Sequence, residues 1–473
     1  MLDDTATSAP GRGALKVGLV SVVTLVAFES LAVTTILPQV ERDLGGIAWY
    51  GWVTAAFFLG TMIGIVFAGE QADRRGAGPP YLLGLVLFAI GLLICGFAPG
   101  MPVLVVGRFV QGFGAGVVPA IGYVAIGRAF DVDERPRMFA ILSTAWVVPG
   151  LIGPVLAERI AQEVGWRWVF LGLVPLVACA GLFVLPSIFR LGPVEGAAKA
   201  SDVRFMRRRM VEATRVAAGV ALVVASFTAS RWMVGPAVFV GALVAVGPFS
   251  RLTPRGTLRG APGLPAVIAS RGVLTFAFFA TDAFVPFAVT AGRGASSLAG
   301  SVAVTVGTVA WTAATWVQQR FIGRMGEAWF VRTGYLLLAP GIALVGMGAI
   351  PDLLPFWVIH VGVVIAGFGM GLAYSAHAQL ALRSVGEAEV GSTTASLQLT
   401  DNLGIALGTG AVGAIVTFGD ESGWLVGHAV AVAMTVPASV AVIGVWLAGR
   451  LPRRSVSHVR RRQRSSTGPS LSA

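Results

Sequence analysis

Residues 27–38 read AFESLAVTTILP and lie inside the first long apolar run of the chain, Val17 to Leu37. Glu29 lies twelve residues into this run. With a rise of about 1.5 Å per helical residue, its carboxylate would lie roughly 18 Å deep, near the middle of a hydrocarbon layer about 30 Å thick. An acid at that depth is costly and needs a partner, a proton or a function. The run therefore predicts a membrane-spanning helix that carries a functional acid.

The composition of the whole chain is that of a membrane protein. Of its 473 residues, 55% are hydrophobic and 12% are charged, and the mean hydropathy is +0.79. Soluble domains carry about 25% charged residues. The net charge of +12 is compatible with nucleic-acid binding, but the basic residues fall between apolar runs. We therefore interpret the positive charge as contact with membrane lipid, and we expect no nucleic-acid partner.

The sequence offers no motif for covalent, metal or nucleotide chemistry. Cys95 and Cys179 both lie in apolar runs, which predicts neither a disulfide nor a zinc site. A phosphate-binding G-x-x-x-x-G-K-[ST] motif is missing, and no cluster of His and Cys has metal-ligand spacing. We therefore predict neither an enzyme nor an ATP-driven pump, and we expect no cofactor.

Apolar runs long enough to span a bilayer follow one another along the chain in a pattern of six, two and six. We predict fourteen spans, with twelve as the alternative if 216–249 forms a re-entrant or surface hairpin. We expect this central pair to be peripheral because it is short and carries little polarity. The predicted spans are 17–37, 48–69, 80–98, 102–126, 138–160, 168–189, 216–230, 232–249, 272–290, 297–319, 329–349, 354–381, 391–417 and 424–449.

The basic residues follow the positive-inside rule when both termini are cytoplasmic. Most Lys and Arg then fall in the inner loops and the two tails, and Arg108 is left inside a span. Deleting one span would invert every loop after it, so an even number of spans is expected. The outer loops hold the arginines at positions 42, 159, 167, 231 and 293.

The same pattern divides the chain into four parts. We predict an N-terminal six-helix half at 1–189, a basic linker with two extra short spans at 190–263, a C-terminal six-helix half at 264–449, and a basic tail at 450–473. Two stretches indicate an internal duplication: FAGEQADRRGAGPPYLLG follows the second span, and QQRFIGRMGEAWFVRTG follows the matching span of the second half. Each places a charged R-x-G turn between two helix ends.

Three motifs of the first half belong together. Gly69–Gly76 reads GEQADRRG, Arg108–Gly116 reads RFVQGFGAG, and Gly165–Pro175 reads GWRWVFLGLVP. With an acid nine residues before Pro38, they resemble the motifs of the major facilitator superfamily, and more closely those of its fourteen-span drug:proton antiporter branch. The resemblance covers nearly the whole chain. It is specific for the superfamily and unspecific for cargo, because this fold serves many functions.

The resemblance implies an all-α major facilitator fold and secondary active transport. The expected activity is the proton-coupled efflux of lipophilic small molecules or drugs by alternating access, as in multidrug resistance. We expect a monomeric multi-pass protein of the bacterial cytoplasmic membrane, with cargo, protons and membrane lipid as its partners. One alternative is an exporter of an endogenous metabolite, lipid or siderophore. Another, of a different class, is a membrane receptor or scaffold that transports nothing.

The 69–76 motif is expected to control the conformational change. The resemblance implies that Asp73 locks the outward-facing form by meeting the start of the helix at Gly391–Thr394. A carboxylate at a helix N-terminus gains about 0.3–1 kcal/mol when exposed, which suits a contact that breaks in every cycle. The alternative is that the basic residues here only follow the positive-inside rule. The predicted gating residues are Gly69, Asp73, Arg74 and Gly76.

Two further motifs predict close helix packing. Gly112 and Gly116 in the fourth span allow two helix backbones to approach each other. Gly153 and Pro154 in the fifth span resemble the antiporter signature, in which glycines and a proline bend the helix. Ala157-Glu158 stands where that signature has a closing glycine pair.

Four charged residues inside the spans are candidates for proton coupling. Glu29 and Arg108 lie at roughly 12 and 8 Å from the outer edge, which predicts an ion pair; the alternative is a static pair that only fixes packing. Asp282 is expected to face the cavity and bind cargo or a proton. Asp401 lies beside Asn402, where a glycine spacing makes a purely structural role equally compatible with the sequence.

Overall fold

The computed structural model describes residues 12–130, 147–191, 203–226, 231–386 and 389–452, and the single positions 134, 138, 141 and 145. These residues form helices joined by turns, which confirms the prediction of an all-α protein. Most of the basic tail predicted at 450–473 lies outside the described residues, as does the start of the span predicted at 138–160.

Six helices are described in the N-terminal half, and the connections that are described between them are short. A break at Gly172 divides the sixth into Arg167–Leu171 and Leu173–Phe189. The helices are α1 (Arg12–Leu44), α2 (Tyr50–Arg75), α3 (Gly78–Gly96), α4 (Met101–Ala129), α5 (Val147–Glu163) and α6 (Arg167–Phe189).

Two central helices and a second group of six complete the described chain. The first helix of that group is interrupted after Asp282 and continues as Val285–Phe287 and a π-helical turn, Ala288–Gly292. The helices are α7 (Val203–Ser226), α8 (Arg231–Leu252), α9 (Leu264–Asp282), α10 (Ser297–Met325), α11 (Glu327–Ala349), α12 (Trp357–Arg383), α13 (Val390–Glu421) and α14 (Val426–Ala448).

Twelve helices within the described ranges are long and apolar enough to cross a membrane, against the fourteen spans predicted. The other two are α5 and α7. The described part of α5 has 17 residues, and α7 begins with the basic stretch around Arg207–Arg209. The sequence placed a short span at 216–230, but the helix starts at Val203 because its basic residues favour helix as well as its apolar ones do.

The ninth span also begins earlier than predicted. The sequence indicated 272–290, whereas α9 starts at Leu264 with Pro265 in its first turn, a position that suits proline. As a result Arg271 lies inside the helix and is buried. The expectation that Arg108 is the basic residue left inside a span is therefore wrong, since there is a second one.

The two R-x-G turns have the same backbone conformation. Gly76 ends α2 with φ 81° and ψ 175°, and Gly326 ends α10 with φ 82° and ψ 158°. Residues other than glycine rarely adopt this positive-φ backbone conformation, so both turns require glycine. The match supports the internal duplication inferred from the sequence.

Glycines bring α2 and α4 into close contact. A Cβ atom on Gly112 would lie 2.0 Å from the carbonyl oxygen of Phe57, and one on Gly116 would lie 2.2 Å from that of Thr61. Thr61 donates its hydroxyl to the carbonyl of Gly112 at 3.1 Å. The carbonyl oxygens of one helix thus fill the space that the glycines of the other leave open. In α5, by contrast, a Cβ on Gly153 would make an ordinary contact of 3.5 Å with Phe28.

We predict that Gly112→Ala destabilises the protein by about 1–3 kcal/mol, because the added methyl group must push α2 away from α4. The thermal unfolding midpoint of purified protein in detergent measures this effect. Gly122→Ala is the matched control on the same helix, since its Cβ would meet Leu19 at 3.4 Å. Equal midpoints for the two variants would contradict close packing at Gly112.

The two halves touch at the ends of their helices that the predicted topology places outside, here called the outer ends. The ring of Tyr50 lies 4.9 Å from that of Phe284 and 5.0 Å from that of Phe287. A Cβ on Gly51 would lie 2.5 Å from the carbonyl oxygen of Thr409. At the inner ends of the same helices, a Cβ on Gly69 or Gly391 would touch nothing within 4 Å. The structure therefore holds the halves together at these ends of the helices.

The central pair differs from the expected peripheral position in one of its two helices. On α7, Val216, Val220 and Val224 form a buried cluster with residues of α2, including Leu59, and of α13, including Ala406. This helix therefore covers the seam between the two halves. In contrast, α8 packs against α7 and leaves much of its own surface exposed.

Candidate functional site

Glu29 lies at the centre of a buried polar cluster in the N-terminal half. It forms an ion pair with Arg108 of α4, and neither side chain is more than 3% exposed. Arg108 also donates to the Gln111 amide oxygen at 2.7 Å and to the carbonyl of Val53 on α2 at 3.4 Å. Its guanidinium lies 4.2 Å above the ring of Phe57. The structure thus joins α1, α2 and α4 through one arginine.

One oxygen of the Glu29 carboxylate is unused. Among the described residues, Oε2 of Glu29 and Nε2 of Gln111 have no hydrogen-bond partner, although both are buried. A buried carboxylate oxygen without a donor is a place at which a proton can bind. Protonation would weaken the pair with Arg108, which would keep its two neutral acceptors, Gln111 and Val53. The cluster can therefore gain and lose a proton while Arg108 keeps hydrogen-bond acceptors.

A second buried ion pair lies in the C-terminal half. Arg271 of α9 donates to both carboxylate oxygens of Asp401 on α13, at 2.6 and 2.9 Å. It also donates to the carbonyl of Tyr374 on α12, and its guanidinium lies 3.2 Å above the Tyr374 ring. The Tyr374 hydroxyl donates to Asp401 at 3.3 Å. Both oxygens of this acid are occupied, unlike those of Glu29.

Sequence reasoning identified Asp401 but missed its partner. The predicted span begins at position 272 and leaves Arg271 in an inner loop. A signal was present in the sequence: an acid inside a span requires a cation nearby, and Pro265 marks a helix start six residues before Arg271.

Next to Arg271, a buried hydrogen-bond network reaches α11 and α12. Ser270 contacts the hydroxyl of Tyr335 at 3.2 Å and Nε2 of His377 at 2.9 Å. Nδ1 of His377 lies 2.9 Å from the carbonyl of Ala373. With Nδ1 protonated, the ring donates to this carbonyl and accepts from Ser270, so a neutral His377 satisfies both nitrogens.

A row of aromatic rings links the two ion pairs across the molecule. We call it the aromatic bridge. Successive ring centres lie 5.3, 6.4, 6.0 and 5.3 Å apart. Arg108 stacks on its first ring and Arg271 on its last. The bridge consists of Phe57 and Phe58 of α2, Phe279 of α9, Trp311 of α10 and Tyr374 of α12.

The aromatic bridge crosses between the two halves at Phe58 and Phe279. Phe57 is buried, but the four other rings are partly exposed. Exposed aromatic faces can stack on a flat apolar molecule or bind an organic cation. Sequence reasoning missed this feature because the five rings come from four helices that are distant in the chain.

Asp282 lies at the point where α9 is interrupted. It follows Phe279 by one helical turn and is half-buried. In the described part of the chain, no hydrogen bond or ion pair of its carboxylate is found. The π-helical turn Ala288–Gly292 follows further along the same span, and such turns are frequent at functional sites. Asp282 thus provides an uncompensated acid close to the aromatic bridge.

The predicted gating residues lie at the inner end of α2. Asp73 and Arg74 are in its last turn, and the side chain of Asp73 lies outside the described residues. Gly69 is exposed, and Gly76 provides the turn to α3. At the start of α13, the proposed partner of Asp73, Gly391, Ser392 and Thr394 are exposed, whereas Thr393 is buried.

Comparisons with known proteins bear on the family and the fold of this chain. A family model described as the Major Facilitator Superfamily matches residues 19–409. A probable multidrug-efflux transporter of Mycobacterium tuberculosis is 27% identical over 91% of this chain and 93% of its own length. A multidrug transporter of Bacillus subtilis is 23% identical over 86% of this chain and 75% of its own. The crystal structure of an auto-inhibited peptide transporter of the POT family superposes with a TM-score of 0.65 at 16% identity, over 93% of this chain and 98% of that one, which shows a shared fold.

Proposed function

The chain belongs to the major facilitator superfamily, and from this we propose that it exports lipophilic small molecules in exchange for protons by alternating access. The superfamily predicted from the sequence motifs is thereby confirmed, and the protein is a multi-pass secondary transporter rather than an enzyme. The names of its relatives, which are multidrug efflux transporters, support drug-like cargo. The observation that carries the proposal is the aromatic bridge between two buried ion pairs, one of which has a free carboxylate oxygen.

In this proposal, Glu29 carries the proton. It binds a proton when the site opens to the outside and releases it when the site opens to the cytoplasm. The unpaired oxygen of Glu29 provides the binding position, and Gln111 and Val53 hold Arg108 while the acid is neutral. Because Glu29 is on α1 and Arg108 is on α4, protonation loosens the contact between these two helices.

Cargo would bind between the halves, on the exposed rings of Phe58, Phe279 and Trp311. These rings suit a flat lipophilic molecule, and Asp282 adds negative charge for a cationic one. The cargo site and the proton site are connected by adjacent residues of α2, since Phe57 stacks under Arg108 and Phe58 lies in the interface. Movement of Arg108 would therefore shift Phe57 and, through it, the neighbouring ring of Phe58 at the cargo site.

The remaining residues serve the conformational change and the stability of each half. We propose that Asp73, with Gly69, Arg74 and Gly76, binds the exposed start of α13 when the inner side closes. The pair of Arg271 and Asp401 supports the C-terminal end of the aromatic bridge, and a proton role for Asp401 requires this pair to open. We also propose that the protein acts as a monomer in the bacterial cytoplasmic membrane with both termini in the cytoplasm.

Transport into proteoliposomes under an imposed pH gradient tests the proposal. A panel of fluorescent lipophilic cations and neutral aromatic compounds is offered, and a pH-sensitive dye inside the vesicles reports proton movement. We expect cargo movement to accelerate when protons flow in the opposite direction. Cargo movement at the same rate with and without the gradient would contradict proton coupling, and a complete absence of cargo movement would favour a receptor or scaffold.

We predict that Trp311→Ala weakens the binding of aromatic cargo by about 5- to 30-fold, since one stacked ring contributes roughly 1–2 kcal/mol. The concentration of cargo at half-maximal transport measures this loss. Trp316→Ala is the matched control, because Trp316 is on the same helix, is 69% exposed and is not part of the aromatic bridge. A similar effect of both substitutions would place the cargo away from the aromatic bridge.

A further inference from the structure

An open groove of about 500 Å³ lies at the inner end of the α7–α8 pair. Its surface is basic, since four arginines and only one glutamate line it. The predicted topology places it on the cytoplasmic side, because α8 runs inward and ends at Leu252. Its lining residues are Arg207, Arg208, Val211, Glu212, Arg215 and Arg251.

Glu212 lies buried at the base of this groove and contacts two of its arginines. Its side chain is 5% exposed, and one carboxylate oxygen lies 2.7 Å from Arg251 of α8 and 3.8 Å from Arg208 of α7. The acid therefore holds two arginines from different helices towards one point. Arg215 lies one turn further along the same face of α7, and among the described residues neither Arg207 nor Arg215 forms an ion pair with an acid.

The surroundings of the groove place it at the membrane surface. Directly after Arg215, α7 becomes apolar and buried at Val216. The neighbouring helix α8 carries Phe239 and Leu243, each 70% exposed, on the stretch that leads down to Arg251. The positively charged groove thus lies at the end of a helix that exposes an apolar surface.

We propose that this groove binds the phosphate of an anionic phospholipid of the inner leaflet, with the acyl chains along the exposed face of α8. Within the described part of the chain Arg207 and Arg215 have no acidic partner, and guanidinium groups bind phosphate oxygens in pairs. A free phosphate ion would use the arginines but not the apolar surface beside them. The positive-inside rule explains positive charge on any cytoplasmic loop. It does not explain a buried glutamate that contacts two arginines from different helices, and this arrangement indicates a binding site.

Native mass spectrometry of the full-length protein in mild detergent tests the proposal, with phosphatidylglycerol and phosphatidylcholine as probes. The groove variant is Arg207→Gln/Arg215→Gln. The matched control is Arg320→Gln/Arg324→Gln, which removes two exposed arginines at the inner end of α10 and the same charge. We expect wild type and control to retain phosphatidylglycerol in preference to phosphatidylcholine, and the groove variant to bind it about 10- to 30-fold more weakly.

Two outcomes would overturn the proposal. The first is equal retention of phosphatidylglycerol by the groove variant and the control. The second is displacement of the lipid by inorganic phosphate at an equal concentration, which would make the free anion the ligand. Val211→Glu provides an independent variant, since it adds negative charge to the groove at a 41% exposed position and removes no arginine. It is expected to weaken lipid binding in the same direction, and unchanged binding would also count against the site.

Discussion

Glu29→Gln is expected to reduce gradient-driven export by about 100-fold or more, the size of effect seen when a proton-transferring group is removed. Glutamine has nearly the same shape as glutamate, and its amide oxygen can still accept from Arg108. It cannot bind and release a proton. The exchange of labelled for unlabelled cargo without a pH gradient should therefore persist, because that process requires no net proton movement.

The control for this experiment is Glu41→Gln. Glu41 is on the same helix, one turn from its outer end, and is not part of the Arg108 cluster. Its substitution should leave both gradient-driven export and cargo exchange within about twofold of wild type. If Glu29→Gln also exported at nearly the wild-type rate under a gradient, the pair with Arg108 would be a static contact that fixes packing.

Much of the N-terminal half could be predicted from the sequence because its signals are local. Depth along a helix follows from residue count, and this is sufficient to predict that Glu29 and Arg108 lie close to each other. The glycines of the fourth span predicted a close helix contact, and α4 meets α2 through them. Composition and the periodic apolar runs were sufficient for the all-α fold.

The features that were missed depend on contacts between distant parts of the chain. The aromatic bridge is invisible in the sequence, because single aromatic residues are common in spans and their mutual distances depend on how the helices pack. Arg271 was not recognised as an intramembrane residue because the predicted start of the ninth span, position 272, lies eight residues after the start of α9 at Leu264. The position of α7 over the seam depends on the shape of the groove between α2 and α13, which periodicity does not encode.

The two buried ion pairs differ in a way that separates their expected roles. Glu29 uses one oxygen for its arginine and leaves the other without a donor among the described residues. Asp401 uses both oxygens for Arg271 and receives a further hydrogen bond from Tyr374. A carboxylate with an open position suits proton exchange, whereas a fully occupied one suits stabilisation. Loss of Asp401 should therefore appear first in the stability of the protein.

Asp401→Asn is expected to destabilise the protein by about 3–5 kcal/mol, because it leaves Arg271 charged and buried without a counterion. Thermal or denaturant unfolding of purified protein measures this change. The double variant Arg271→Gln/Asp401→Asn should recover most of the loss, since it removes both charges together. Asp420→Asn, at the exposed outer end of the same helix, is the matched control and should unfold like wild type.

The same variants decide whether Asp401 also takes part in proton coupling. With a structural pair, the double variant regains gradient-driven transport together with its stability, because the charges themselves are dispensable once both are gone. If Asp401→Asn unfolded like wild type and yet lost gradient-driven transport, the acid would be a proton carrier and its contact with Arg271 would have to open in each cycle. The occupied oxygens of Asp401 favour the first result, because opening that pair would expose two charges to the interior of the helix bundle.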